Sequence, residues 1–265
     1  MRLHGLIIDP QEDFCNPNGS LYVPGAEADM ARLSALIRRL TPQIEGLHVT
    51  LDSHHTLDIA HPVWWRDEAG NPPPPFTIIT TSDLDTGRWQ AADPGARERS
   101  AAYVRQLAEN GRYPLCIWPY HCLIGSAGHT VVPELQAALG AWEASARLPV
   151  DFVTKGANIW TEHYSALRAD VPDLTDRATL LNERLIRELR AADRIFVAGE
   201  AGSHCVANTV RDLVEALGSD EQLQKLTLLT DATSPVTGFE PLQEAYLADM
   251  AARGLQMATT EEFLQ

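Results

Sequence analysis

Short apolar runs alternate with longer amphipathic stretches along the chain. The apolar runs predict strands near residues 3–8, 47–51, 113–117, 150–154, 194–198 and 226–230. The amphipathic stretches predict helices near residues 26–40, 133–147, 178–191, 204–217 and 241–253. This alternation predicts an α/β fold with three layers, α/β/α, around a mostly parallel central sheet of about six strands.

The alternation is interrupted once, at about 62–111. The four prolines at 72–75 cannot continue a strand or a helix, so the chain is expected to leave the core there. A hairpin-like piece and a helix near 95–110 are expected to follow. We interpret this segment as an insertion in one domain that spans residues 1–265.

Composition and charge argue against several classes of protein, including nucleic-acid-binding and membrane-spanning proteins. The 265 residues include 21 Lys and Arg against 36 Asp and Glu, a net charge of −15, which disfavours nucleic acid as a partner. No apolar run is long enough for a membrane span, and the apolar stretch near the start is too short for a signal peptide. We expect a soluble cytoplasmic protein. Its four cysteines show no C-x-x-C spacing and are too few for a disulfide scaffold, which leaves a single reactive thiol possible.

Ionisable residues fall where predicted strands end. Asp9 ends the first strand, Asp52 the second and Lys155 the fourth, while Cys205 follows the fifth. Ligands of open α/β sheets bind outside the carboxyl ends of the strands. The four side chains are therefore expected to converge on one site.

Cys205 follows a glycine-containing turn and opens a helical pattern. A helix N-terminus and a nearby lysine both favour a thiolate, and the same backbone N–H groups can hold an oxyanion. Asp9 is suited to take the thiol proton and to return it to a leaving amine, with Lys155 offsetting the charge. The structural alternatives are a small buried cysteine, a carboxylate that caps a loop and a solvated lysine.

A second group of residues suits a metal. Asp52 and His54 are two positions apart, so an extended segment places both on one face. Carboxylate and imidazole together suit Zn, Fe or Mn, and His61 or the more distant His121 could complete the set. Asp-x-His alone is a weak signal. Three aromatic residues near the same rim could hold a flat substrate, although aromatic residues more often belong to the core: Phe14, Trp118 and Tyr164.

Five segments, in this order, resemble one known family. They are LIIDPQEDFCNPNGSLYVPGA, TLDSHH, WPYHCLIGSAGH, VTKGANIWTEHYSA and VAGEAGSHCVANTVRDL. Together they are similar to the nicotinamidase branch of the isochorismatase-like cysteine hydrolases. The resemblance covers most of the chain outside the insertion and implies the isochorismatase-like hydrolase fold.

The resemblance implies specific roles. It implies an Asp, Lys, Cys catalytic triad at Asp9, Lys155 and Cys205. It implies a divalent metal ion, most often zinc, on three ligands, Asp52, His54 and His121, with His61 as a further candidate. It also implies a cis peptide bond between Glu200 and Ala201, an oxyanion hole formed by the N–H groups of Ala201 and Cys205, and ring contacts from Phe14, Trp118 and Tyr164.

These observations predict a cysteine-dependent amidohydrolase that converts nicotinamide and water to nicotinate and ammonia through a thioester. The long insertion leaves open a related amidase for another small amide or ureide, such as a biuret-like compound, ureidoacrylate or a maleamate. A binding homologue without activity is disfavoured by the three triad residues together, and vinyl-ether hydrolysis is disfavoured by Cys205. The family also implies a homo-oligomer and a small-molecule partner.

Overall fold

The computed structural model describes all residues from Met1 to Gln265. Its strands are β1 (Leu3–Ile8), β2 (Ile44–Asp52), β3 (Trp65–Arg66), β4 (Ile78–Ile79), β5 (Gln90–Ala91), β6 (Leu115–Cys116), β7 (Asp151–Lys155), β8 (Arg194–Gly199), β9 (Leu226–Leu229) and β10 (Gln256–Ala258). Its helices are α1 (Glu12–Cys15), α2 (Ala26–Leu40), α3 (Thr81–Asp85), α4 (Arg97–Glu109), α5 (Pro133–Ala146), α6 (Glu183–Ala191), α7 (Cys205–Leu217), α8 (Asp220–Leu223) and α9 (Glu240–Ala252). None of these helices has the length and apolar character needed to cross a membrane.

The central sheet has six strands in the order β10-β9-β8-β1-β2-β7, and every neighbouring pair is parallel. From β1 the chain moves to β2 and then β7 on one side, and it later returns through β8 to β9 and β10 on the other. With right-handed crossovers, α2 and α5 cover one face and α6, α7 and α9 the other. The predicted three-layer α/β/α fold is confirmed.

Burial explains why these segments are strands. In β1 every residue except the half-buried His4 is buried, and in β8 only Arg194 at the start is exposed. A strand that helices cover on both faces needs such a continuous apolar run. The covering helices keep one apolar side, as in α2, where Leu33, Leu36 and Ile37 are buried.

Two of the predicted elements differ from the structure. The segment at 113–117 is not a strand of the central sheet, because only Leu115–Cys116 is extended and it pairs antiparallel with β4. The sixth central strand is instead β10, whose three residues are exposed or half-buried and carry no apolar run that would reveal them. The helix expected near 178–191 begins at Glu183, after Asn182 caps its first turn.

The segment at 62–111 contains short pieces that pack on the core. It holds β3 to β5, α3 and α4, with β3 paired antiparallel to β5. Trp64 donates a hydrogen bond from Nε1 to the Ser100 hydroxyl at 2.9 Å, and Trp65 is fully buried. The hydroxyl of Tyr103 in α4 accepts a hydrogen bond from the backbone N–H of Glu162 at 2.9 Å. The segment therefore supports the wall of the site described below.

The sheet leaves no room for a side chain at the end of β8. Gly199 has φ of +116°, and a Cβ there would lie 2.0 Å from the carbonyl oxygen of Ile8. Gly218, which ends α7, also has positive φ (+71°), but its nearest neighbour would be 3.8 Å away. An alanine at Gly218 would therefore introduce backbone strain alone, whereas an alanine at Gly199 would add a steric clash.

Replacing Gly218 by Ala should lower the free energy of unfolding by about 1 kcal/mol, the usual cost of positive φ at alanine. Replacing Gly199 by Ala should cost at least about 2 kcal/mol more, because β1 and β8 must separate. Urea unfolding followed by circular dichroism measures both. Equal losses of unfolding free energy in the two variants would show that the close contact between β1 and β8 adds no cost.

Candidate active site

The four predicted residues meet at the carboxyl edge of the central sheet. Asp9 follows β1, Cys205 opens α7 after β8, and Asp52 and Lys155 are the last residues of β2 and β7. The chain leaves β1 and β8 in opposite directions, so a crevice opens between them at this edge. Segments separated by up to 196 positions, from 9 to 205, are thus brought together.

Lys155 lies at the centre of this group. Its Nζ is 2.8 Å from Asp9 Oδ2, 2.9 Å from Asp52 Oδ1 and 3.6 Å from Cys205 Sγ. Asp9 is fully buried, and Lys155 and Cys205 are 3% and 6% exposed. Burial by itself would lower the pKa of Lys155, but the carboxylates of Asp52 and Asp9 raise it well above its usual value. The ammonium therefore stays charged.

Asp9 has the properties of a base. Burial raises the pKa of its carboxyl above the usual value, although Lys155 and a hydrogen bond from the Thr50 hydroxyl oppose that rise. The Thr50 hydroxyl also accepts a hydrogen bond from the Asp9 backbone N–H at 3.0 Å. Asp9 itself has φ of +43°, a conformation that non-glycine residues rarely adopt. The end of β1 thus aims one carboxylate at Lys155 and the thiol.

The pKa of the Cys205 thiol depends on burial as well as on the helix terminus and the lysine. Burial raises its pKa well above the usual value, Lys155 lowers it, and Asp9 and Asp52 raise it further. Desolvation in the folded site therefore opposes the thiolate that the lysine and the helix terminus favour. A neutral thiol needs a base at the moment of attack, and Asp9, Asp52 and the sulfur lie within 4.8 Å of one another.

Two backbone N–H groups beside the sulfur have no acceptor in the protein, those of Ala201 and Cys205. The peptide bond between Glu200 and Ala201 is cis, as the resemblance implied. Free N–H groups at a helix N-terminus are suited to bind an oxyanion. Their positions are consistent with the predicted oxyanion hole.

Asp52, His54 and His121 form a group that fits a divalent metal ion. Their ligand atoms lie within 4.8 Å of one another, and all three residues are buried. Asp52 Oδ2 is 3.0 Å from His54 Nε2 and 3.5 Å from His121 Nε2. Burial alone would raise the pKa of Asp52, but His54, Lys155 and His121 lower it well below its usual value.

The surroundings of the two histidines support this assignment. Nδ1 of His54 lies 3.1 Å from Asp58 Oδ2, and Nδ1 of His121 lies 2.8 Å from the carbonyl oxygen of Pro119. Acceptors at Nδ1 leave Nε2 free for a metal, the usual arrangement around metal-bound histidine. The three residues therefore fit the group that the sequence predicted.

His61 lies next to the metal group but outside it. Its ring centroid is 5.3 Å from that of His54 and 5.7 Å from that of His121. Its Nδ1 faces the carbonyl oxygens of His55 and Thr56, while its buried Nε2 has no partner. His61 is thus placed to extend the group without being one of the three converging ligands.

Residues that the sequence analysis missed hold these side chains in place. The side-chain amide of Gln11 donates to the carbonyl oxygen of Asp52 at 2.8 Å and accepts from its N–H at 2.7 Å. Asp13 accepts a hydrogen bond from the Cys122 N–H at 2.6 Å and so fixes the loop that carries His121. Both lie in the IDPQEDF segment, and polar residues immediately after a buried strand were the signal for them.

A small pocket borders the sulfur. It has a volume of about 20 Å³ and contains the three predicted aromatic residues. Its lining also includes Leu21, Glu162, His204 and Val236. Trp118 donates from Nε1 to Glu162 Oε2 at 2.9 Å and to the Tyr164 hydroxyl at 3.1 Å. The predicted aromatic residues therefore do border the reacting side chains.

Glu162 is a buried acidic side chain in the lining of the pocket. It is 5% exposed, and burial raises the pKa of its carboxyl to about 8, with neighbouring Asp58 and Asp52 adding to that rise. Glu162 lies between Lys155 and Tyr164 in a stretch with no pattern that predicts its burial. A protonated carboxyl here presents a hydrogen-bond donor to the pocket.

Four other histidines, His4, His48, His129 and His163, lie outside the pocket. His48 pairs with Asp151 at 2.8 Å and with His4 at 3.1 Å, far from the carboxyl edge. His129 lies 2.8 Å from the Ser53 hydroxyl, and His163 accepts a hydrogen bond from the Gly156 N–H at 3.3 Å. All four are therefore held by contacts within the protein.

Replacing Thr50 by Val should move the acid limb of the activity profile to higher pH. Asp9 works as a base only when ionised, so activity falls as pH drops through its pKa. The Thr50 hydroxyl stabilises the ionised form, and its removal raises the pKa of Asp9. The pH dependence of kcat/KM measures the shift, and Thr227→Val, in β9, is the control. An unchanged acid limb in Thr50→Val would contradict the role of Asp9.

The purified protein should contain about one divalent metal ion per chain, and His121→Ala should retain less than about a tenth of it. His163→Asn is the matched control, since His163 is equally buried but lies outside the ligand group. Mass spectrometry of the dissolved metal gives the stoichiometry. Equal metal content in both variants would rule out the ligand set.

Comparison with known proteins adds independent findings. No family model matches the chain. The nicotinamidase of Saccharomyces cerevisiae is 24% identical over 232 residues, which are 88% of this chain and 88% of the yeast protein. The crystal structure of yeast nicotinamidase Pnc1p bound to the inhibitor nicotinaldehyde has a TM-score of 0.68 at 19% identity, covering 97% of this chain and 99% of that chain.

A second solved structure is the pyrazinamidase of Pyrococcus horikoshii in complex with zinc. Its TM-score is 0.57 at 18% identity, and the alignment covers 98% of this chain and 99% of that chain. The two structural matches extend over nearly the whole length of both chains. They confirm the resemblance to the nicotinamidase branch of the isochorismatase-like hydrolases, and the chain has the fold of these enzymes.

Proposed function

We propose that this protein is a cysteine-dependent amidohydrolase that converts nicotinamide and water to nicotinate and ammonia. The observation that carries the proposal is the buried cluster of Asp9, Lys155 and Cys205 beside two free backbone N–H groups. A nucleophile, a base and an oxyanion site are the parts that acyl transfer needs. The likeness to nicotinamidases supports the choice of amide.

In the first half of the reaction, Asp9 takes the proton of the Cys205 thiol as the sulfur attacks the carboxamide carbon. The resulting oxyanion accepts hydrogen bonds from the N–H groups of Ala201 and Cys205. Asp9 then returns the proton to the departing nitrogen, and ammonia leaves. A thioester remains on Cys205.

In the second half, Asp9 removes a proton from a water molecule that attacks the thioester. The same N–H groups bind the second oxyanion, and collapse releases nicotinate and restores the thiol. Lys155 stays protonated throughout and holds Asp9 in place at 2.8 Å. The raised pKa of Asp9 suits a group that both takes and returns a proton.

We further propose that Asp52, His54 and His121 hold zinc, the metal bound by the pyrazinamidase of similar fold. A divalent cation there supplies Lewis acidity and fixes polar atoms of the substrate or water. Asp52 links this site to the triad, because its other carboxylate oxygen is 2.9 Å from Lys155. Phe14, Trp118 and Tyr164 provide the apolar surface for the pyridine ring. The homo-oligomeric state and the cytoplasmic location stay predictions from the sequence.

Replacing Cys205 by Ala should lower kcat/KM for nicotinamide by at least about a thousandfold, because no other nucleophile is placed for attack. Ammonia release measured with a coupled assay gives the rate. Cys15→Ala is the control, since Cys15 is also a free buried cysteine and lies outside the site, so it should retain activity.

Substantial turnover by Cys205→Ala would contradict the mechanism. A panel of other amides and ureides, run beside nicotinamide, separates mechanism from substrate. Cysteine-dependent activity on another member of that panel alone would keep the triad and replace nicotinamide as the substrate.

A further inference from the structure

A second cavity, open to solvent on one side, lies beside the substrate pocket, and we call it the apolar chamber. Its volume is about 350 Å³. Ile78 of β4 and Cys116 of β6 form one wall. Phe239 and Leu242, at the start of α9, form another. No charged residue lines it.

The chamber and the substrate pocket share two residues, Tyr164 and His204, which line both. Their rings pack with centroids 5.3 Å apart, and the ring of His204 lies 4.8 Å from that of Phe239. His204 directly precedes Cys205 in the chain. Tyr164 and His204 therefore separate the chamber from the pocket that contains Cys205.

The difference in volume between the two cavities has a consequence for binding. The substrate pocket, at about 20 Å³, has room for roughly one water molecule and not for an aromatic ring. A ring can enter only if bordering side chains move. Of those side chains, Tyr164 and His204 have open space behind them, because they back onto the chamber. Their movement would join the two cavities.

The chemistry of the chamber restricts what it can take. His204 is buried, and burial lowers the pKa of its imidazole to about 3, so the ring is neutral. Its Nδ1 lies 2.9 Å from the Ser203 hydroxyl, which accepts a hydrogen bond from the Val236 N–H at 3.1 Å. The Ser203 proton is thus free to point at Nδ1, which leaves the histidine proton on Nε2, an atom with no partner in the protein. An apolar space with one neutral donor suits an uncharged group.

We propose that the apolar chamber is an extension of the substrate pocket that receives an uncharged substituent on the ring of an aromatic amide. The enzyme then hydrolyses ring-substituted amides that are larger than nicotinamide. This inference rests on the proposed function, because it assumes that the amide carbon lies at Cys205. It adds a specificity site to which β4, β6 and α9 contribute.

The test compares nicotinamide with nicotinamides that carry a propyl group at ring position 5 or 6. For the wild type, kcat/KM for at least one propyl amide should lie within tenfold of the value for nicotinamide. Leu242→Trp, which fills the chamber from α9, should lower that propyl value at least tenfold and change the nicotinamide value less than threefold. Ile78→Trp fills the chamber from the opposite wall and should have the same effect, so the test still stands if Leu242→Trp fails to fold. Glu244→Trp, an exposed position on the same helix, is the control.

The proposal is overturned if neither propyl amide comes within tenfold of nicotinamide. It is also overturned if the chamber-filling variants lower kcat/KM equally for nicotinamide and the propyl amides. The chamber would then be an entrance through which every substrate reaches the pocket. Calorimetric binding of the same amides to Cys205→Ala, with and without Leu242→Trp, gives a readout independent of turnover. If the wild type hydrolyses no amide, the proposed function fails. The binding data then test the chamber by themselves: selective loss of propyl-amide binding when Leu242→Trp is added to Cys205→Ala supports it, and equal binding overturns it.

Discussion

The ammonium of Lys155, buried between two carboxylates, is the interaction on which the site depends. Its charge is offset by Asp9 on one side and Asp52 on the other, at 2.8 and 2.9 Å. Removing one partner from a buried ion pair leaves an uncompensated charge and typically costs about 3–5 kcal/mol. The base of the triad and a ligand of the metal group are therefore fixed by the same cation. Displacing either carboxylate would leave the charge of Lys155 incompletely compensated.

The sheet makes this arrangement possible. Parallel strands bring their carboxyl ends to one edge, and the reversal of direction between β1 and β8 opens the crevice there. Gln11 and Asp13 then tie the loops that follow the strands to one another through backbone hydrogen bonds. The rigid part of the fold thus sets the distances, and the loops supply the remaining side chains.

The residues with a strong local signal could be predicted from the sequence. Asp9, Asp52 and Lys155 end apolar runs, and Cys205 opens a helix, so parallel-sheet geometry alone brings them together. β10 could not be predicted, because its residues are half-exposed and it gains its place only by pairing with β9. The same limit applies to Glu162, whose burial depends on α4 and Trp118, distant in the chain. The raised pKa of the Cys205 thiol could not be predicted either, because desolvation depends on the folded site and not on the helix terminus.

A thioester on Cys205 is the central chemical claim, and interception of that intermediate tests it most directly. Hydroxylamine added during turnover of nicotinamide competes with water for the acyl group. We expect nicotinohydroxamate among the products, together with a nicotinoyl group on the peptide that contains Cys205 when the reaction is quenched in acid and analysed by mass spectrometry. Rapid release of ammonia with neither the hydroxamate nor the modified peptide would contradict covalent catalysis by Cys205.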